Sequence, residues 1–350
     1  MKIAVYAIAK NEEQFVRRWA ESCADADFRF ILDTGSTDRT VQEAIDCHVN
    51  WAQAVVNPWR FDEARNRALG WIPHSVDYCI ALDMDEVLQP GWRKALEDFL
   101  AANPTVTRPR YKYVWSWNPD GSEGLVYGGD KIHHRDNYTW RHPVHEVLTP
   151  LDGETQGFVP GLEIHHHPDS SKSRAQYLPL LELAVQEDPA DPRNQFYLGR
   201  EYFYQGNKQF AIRHLVYATM LGKWGPEKAA AYRMLYKLTD QLINLYRALM
   251  ADPCRRETLV MLAQHYHDEQ YWQGCYQYAL AALDVREKPL DYLCEADAWG
   301  WLPYDLAAVS AWHLGRLVEA RQFGESALEL NPGDVRLRAN MEWYTQGNPV

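Results

Sequence analysis

The 350-residue chain carries 36 Lys and Arg against 48 Asp and Glu, a formal net charge of −12, and is 46% apolar and 13% aromatic. That length allows two or three domains with cores of their own, and no run of eighteen apolar residues offers a membrane span. The charge is concentrated over residues 1–170, where 17 basic side chains face 26 acidic ones. Such a balance disfavours non-specific binding to nucleic acid, although Arg108, Arg110 and Lys112 leave room for a local basic patch.

In chain order, "KIAVYAIA" reads as a first strand, with no small-residue cleavage site of a signal peptide near it. Gln14–Cys23 reads as a helix, "RFILD" as a strand, Thr37–Asp46 as a helix and "AQAVVNP" as a third strand. "FDEARNRALGWI" follows as a helix and "VDYCIALD" as a fourth strand. This β–α alternation predicts an α/β, Rossmann-like domain with a mostly parallel sheet, whose ligands bind beyond the carboxyl ends of the strands. Asp33 and Asp83 end two of those strands and are expected to face one crevice. "RYKYVWSW" and "GLVYGGDKIHH" predict a hairpin around the turn "NPDGSEG".

After about residue 170 the pattern is helical only. Leu198, Gly199, Tyr202, Gly206, Ala211 and Ala218 fall at the offsets of a tetratricopeptide repeat, a helical hairpin of about 34 residues. Leu262, Ala263, Tyr266, Cys275, Ala279 and Ala282 repeat the pattern, and Gly315, Ala320, Ala327 and Pro332 do so in part. We therefore expect an α/β domain over residues 1–170 and an all-α, tetratricopeptide-like domain over residues 171–350. The six cysteines show no CxxC or zinc-type spacing, which fits reduced thiols in a cytoplasmic protein.

Chemistry concentrates in "YCIALDMDEVLQPG", residues 78–91. An apolar run ends in Asp83, Asp85 and Glu86, three carboxylates whose mutual repulsion calls for a positive partner. In an extended chain Asp83 and Asp85 project to the same side. Hard oxygen ligands at that spacing suit Mg²⁺ or Mn²⁺, which retain water and bind substrate phosphate. No P-loop, nucleophile elbow or nucleophile–base motif is present in the sequence.

"AIAKNEEQFVRRWAESC", "FILDTGSTDRTVQEA", "WRFDEARNRALGW" and "YCIALDMDEVL", in that order, resemble the family 2 glycosyltransferases of GT-A fold across roughly residues 3–90. "RHPVHEVL" and "LEIHHHPDSSKSRAQYLPLLE" resemble the subgroup with a C-terminal tetratricopeptide (TPR) region. The resemblance implies a nucleotide-sugar donor, commonly a UDP-sugar, and inversion at the anomeric carbon. It puts Asn11 and Glu12 against the nucleotide, Asp33 on uracil or ribose, and Arg65 near the nucleotide with Asn66. Gly35 and Ser36 form a turn that lets the backbone approach the ligand. Asp85 is expected to hold the metal with Asp83 nearby, and the family's I-x-H pattern selects His166 of "EIHHHP" as a further ligand. In extended chain His165 and His167 would share the opposite face.

For the base that takes the acceptor's proton, the family's H-E pair selects Glu146. Asp130 is the second candidate, left unshielded by "GGD" at a strand edge. His145 is expected to orient Glu146, assist the leaving group or simply pack; Trp115, Trp117 and Trp140 are candidates for stacking on sugars. A solenoid suits a peptide or protein acceptor, while a glycan and a hydroxymethylated DNA base stay open. Outside glycosyl transfer, the alternatives are a repeat-based binding protein with a relic nucleotide fold and a metal-dependent nucleotidyltransferase.

Overall fold

A computed structural model describes residues 1–169 and 177–346. The chain divides into two compact units, Met1–Ala184 with Leu290–Tyr292, and Val185–Pro289 with Leu293–Val350.

The first unit opens with β1 (Ile3–Ala9), α1 (Glu13–Ser22), β2 (Phe28–Asp33), α2 (Thr40–Asp46), β3 (Asn50–Gln53), α3 (Phe61–Gly70) and β4 (Tyr78–Ala81). It continues with β5 (Glu86–Leu88), α4 (Trp92–Ala102), β6 (Arg108–Val114), β7 (Val126–Gly129), β8 (Ile132–His134), β9 (Tyr138–Arg141), β10 (Val147–Pro150) and β11 (Gln156–His166). A five-stranded sheet runs β3-β2-β1-β4-β8, with the first four strands parallel and β8 antiparallel. A second sheet runs β5-β11-β6-β7, and β9 pairs with β10.

β1 is apolar at nearly every position because both its faces are covered. Ile3, Val5 and Ala7 pack with Val16 and Trp19 of α1. Ala4 and Tyr6, pointing the other way, pack with Ala68 and Leu69 of α3 and with Trp140. The predicted α/β architecture is present, as is the β6–β7 hairpin.

Local differences have local causes. α2 begins at Thr40, not Thr37, because Thr37 N–H is bound by Asn11 Oδ1 at 2.8 Å and Asp38 caps Thr40 N–H at 3.0 Å. β3 ends at Gln53, and Val55 of the predicted strand is exposed. Asp83–Glu86 is a turn closed by Glu86 N–H on Asp83 O at 2.9 Å, so the extended geometry expected for Asp83 and Asp85 does not hold.

The second unit, with the end of α5 (Tyr177–Glu187) at its boundary, contains α6 (Pro192–Tyr204), α7 (Lys208–Leu221), α8 (Gly225–Thr239), α9 (Ile243–Ala251), α10 (Arg256–Asp268) and α11 (Trp272–Asp284). It closes with α12 (Ala296–Trp299), α13 (Leu302–His313), α14 (Leu317–Leu330) and α15 (Val335–Gln346). Consecutive helices pack as hairpins, α6 on α7, α10 on α11 and α13 on α14. The repeat positions are where close approach is needed: a Cβ on Gly199 would lie 2.9 Å from the backbone nitrogen of Leu215. Ala211, Ala263, Cys275, Ala279, Ala320 and Ala327 are fully buried.

Candidate active site

Strand register brings the carboxyl ends of β1 and β2 level, with Ala9 beside Asp33, and β4 lies on the other side of β1 with Ala81 beside Tyr6. The loops that leave β1 and β2 are bound to each other. Asn11 N–H donates to Ser36 Oγ at 2.8 Å, Glu12 N–H to Thr40 Oγ1 at 2.7 Å, and Arg39 N–H to Glu13 Oε2 at 2.8 Å. Asp33 is fully buried, and its carboxylate accepts from the backbone N–H groups of Gly35 and Ser36 and from Gln53 Nε2. Gly35 has φ +108°, a conformation that side-chain-bearing residues avoid. The predicted nucleotide residues Asn11, Glu12, Asp33, Gly35 and Ser36 therefore meet in one braced pair of loops.

Arg65, on α3, is 4% exposed, although an outward helical arginine is ordinarily solvated surface. Its Nη2 lies 2.7 Å from Asp83 Oδ1 and its Nε 2.5 Å from Glu146 Oε1. The guanidinium sits 5.0 Å above the ring of Trp140, which is itself buried. Asn66 secures that wall, donating to Trp140 O and accepting from Trp140 N–H, each at 2.8 Å. Lys131 Nζ lies 2.5 Å from Asp83 Oδ2 and 2.9 Å from Glu86 Oε1. Tyr113 O–H also donates to Glu86 Oε1, at 2.7 Å.

Asp83 and Glu86 thus have positive partners within the chain itself, Arg65 and Lys131 on Asp83 and Lys131 on Glu86. Burial opposes ionisation of Asp83, but Arg65 and Lys131 outweigh it and hold the carboxyl well below its usual range. Glu86, enclosed more completely, is raised by burial. Sequence reasoning misses Lys131. Its one local sign is its place beside Asp130 at the start of β8, but its pairing with Asp83 spans 48 residues and needs the sheet to be visible.

Asp85 points elsewhere. Its Oδ2 lies 3.3 Å from His166 Nε2, on the strand that pairs His166 with Glu86. His166 Nδ1 is 2.9 Å from the carbonyl of Trp115; a carbonyl only accepts, so Nδ1 carries the proton and Nε2 is directed at Asp85. Burial lowers the pKa of this imidazole, and the hydrogen bonds with Asp85 and the Trp115 carbonyl, together with the negative charges of Asp85 and Glu86, outweigh it and raise it overall. His165 and His167 take the other face, His165 beside Glu163 at 3.2 Å and both flanking Trp117. Among the described residues, three metal-type ligand atoms converge at Glu123, Glu163 and His165, where Lys112 already binds both carboxylates.

Of the two candidate bases, Glu146 is largely buried and belongs to the Arg65–Asp83 cluster. Asp130 is about half exposed and is held by Arg108 at 3.0 Å. Glu146 ends a loop in which His142 and His145 have φ +78° and +50°. That loop is fastened by Phe61 N–H on Pro143 O at 3.0 Å, and the Tyr177 ring lies against His145 and Phe61.

Residues 5–149 match the family model described as glycosyl transferase family 2. The lipopolysaccharide core biosynthesis glycosyltransferase LpsC of Rhizobium meliloti (strain 1021) is 26% identical over 182 residues, 48% of this chain and 64% of LpsC. The chain thus spans less than two thirds of that relative. Among solved structures, glucosyl-3-phosphoglycerate synthase of Mycobacterium tuberculosis, in complex with Mn²⁺, UDP and glucosyl-3-phosphoglycerate, is 24% identical over 32% of this chain and 44% of its own, with a TM-score of 0.28. A thermophilic TPR protein of Thermus thermophilus is 20% identical over 48% of this chain and 89% of its own, with a TM-score of 0.33. Over residues 5–149 the chain is thus similar to the family 2 glycosyltransferases.

Proposed function

We propose that the chain is an inverting glycosyltransferase that uses a nucleotide-sugar, a UDP-sugar in the first instance, with Mn²⁺ or Mg²⁺. The carrying observation is the Asp85–His166 pair, a carboxylate oxygen and an imidazole nitrogen 3.3 Å apart with the far ring nitrogen held by the Trp115 carbonyl. A backbone carbonyl on the distant nitrogen is the usual support for a metal-ligating histidine, so the residues fit a divalent ion. Such an ion would supply charge neutralisation at the departing diphosphate. In this reading Asp83 has a smaller part in holding it, since both its oxygens answer Arg65 and Lys131.

The braced loops carrying Asn11, Glu12, Asp33, Gly35 and Ser36 support a nucleotide site, with Arg65 and Asp83 at its inner edge. Glu146 is the proposed base. It takes the proton as the acceptor's electron pair forms a bond to the anomeric carbon, and the electrons of the breaking C–O bond leave with the diphosphate. We assign glycosyl transfer to about residues 1–170 and acceptor recognition to the helices, with a peptide, protein or glycan acceptor. The proposed setting is the cytoplasm, where the six cysteines, none in a disulfide, stay reduced.

The test is nucleotide release from a panel of sugar nucleotides with and without Mn²⁺ and Mg²⁺, water serving as acceptor. Metal-dependent release from at least one donor is expected, and none from any donor overturns the reading. Glu146→Gln should lower release about 10²–10⁴-fold while sparing donor affinity. Undiminished release passes the base to Asp130, whose Asn variant should then carry the defect.

A further inference from the structure

We propose that Arg65 is a positioning residue that sets the distance between the two halves of the site, and that it does so without touching the donor. This rests on the function proposed above. Three observations carry it. First, Arg65 divides its guanidinium between the halves, Nη2 on Asp83 of the β4 turn and Nε on Glu146 of the β9–β10 loop. Second, it is enclosed: its side chain is 5% exposed, its Cζ lies 5.0 Å over the Trp140 ring, and Nη1 is buried with no hydrogen-bond partner among the described residues. An arginine with a ligand-facing role would keep an accessible donor, and the remaining nitrogen of this one is enclosed within the protein.

Third, the loop it fastens is held in a costly shape. His142 and His145 both have positive φ without being glycine, and such residues persist only where their surroundings hold them. Its fastenings include the Phe61–Pro143 backbone bond at the start of α3 and the Arg65–Glu146 ion pair one turn further along that helix. α3 therefore acts as a splint for Glu146, and Arg65 ties the splint to Asp83. A lysine at this position brings one compact charge instead of a planar fork and cannot serve both carboxylates in the same way.

The experiment uses the full chain with Arg65→Lys, Arg65→Met, Glu146→Gln and the double variant Arg65→Lys/Glu146→Gln. Amide exchange over residues 142–147, measured without nucleotide, should rise at least about tenfold in Arg65→Met and less in Arg65→Lys. With UDP-glucose and Mn²⁺, Arg65→Lys should lower kcat for UDP release about 10–100-fold and leave the donor KM within about threefold. Adding Arg65→Lys to Glu146→Gln should cost nothing further, because the arginine acts through that carboxylate.

Unchanged loop exchange overturns the proposal. So does a loss carried by KM, which would make Arg65 a donor contact, or losses that multiply in the double variant. If Arg65→Met does not fold, Arg65→Lys carries both readouts. A wild-type chain that releases no nucleotide from any donor counts against the proposed function alone, since the exchange comparison decides the anchoring without turnover.

Discussion

His133 shows how a single buried side chain ties stability to pH. It is fully enclosed, with Nε2 3.2 Å from Tyr6 O–H and Nδ1 3.0 Å from the His134 carbonyl. Trp140 Nε1 donates to the same Tyr6 oxygen at 2.8 Å. Burial pushes the imidazole down from 6.5 to about 4. Between those values the unfolded chain binds a proton that the folded chain refuses, so stability is full above the unfolded value and is lost as pH falls toward the folded one. The loss has an upper bound of about 3 kcal/mol, with none added below the folded value. Denaturant midpoints of wild type should fall through this window more steeply than those of His133→Gln; parallel slopes would contradict the assignment. The residue scale also shows what sequence can and cannot reveal. The alternation of "IHHHP" is enough to place His166 on its own face, because strand geometry is local. Arg65 on Glu146 and Lys131 on Asp83 join residues 81 and 48 positions apart, and no local period encodes such pairings.

At the scale of elements, small residues decide how closely helices approach. A glycine inside an ordinary helix costs about 1 kcal/mol relative to alanine, so Gly199→Ala would stabilise an exposed α6. Here the added methyl would meet both the backbone nitrogen and the Cγ of Leu215 at 2.9 Å. Overpacking of that kind costs about 1–3 kcal/mol, so after the propensity gain a net destabilisation of up to about 2 kcal/mol is expected by chemical denaturation, and a more stable variant would refute the close approach. The repeat was legible for the same physical reason: its spacing is a packing requirement written at fixed offsets. The β4–β5 connection was less so. An apolar run followed by acids reads as a strand continuing outward, whereas the bond from Glu86 N–H to Asp83 O folds it into a turn that parts Asp83 from Asp85.

Across the whole molecule, the charge of −12 bears on which acceptors can be approached. Retention on nucleic acid depends on neutralising phosphates, and the acidic excess works against it. Duplex DNA, hydroxymethylated or not, should show no mobility shift with the full chain at about 0.1 M salt, where the Debye length is about 10 Å; a tight shift there would revive the DNA acceptor. The sheet order has a consequence of another kind. β1 lies between β2 and β4, yet it precedes both in the chain. At about 5–20 residues per second on a ribosome, Phe28 follows Ala9 after about 1–4 s and Tyr78 after about 3–14 s. For that interval a nearly all-apolar segment waits with at least one open edge, the kind of template that recruits a neighbouring nascent chain. The strand around which the first unit is built is thus vulnerable during synthesis, and slower translation lengthens the hazard.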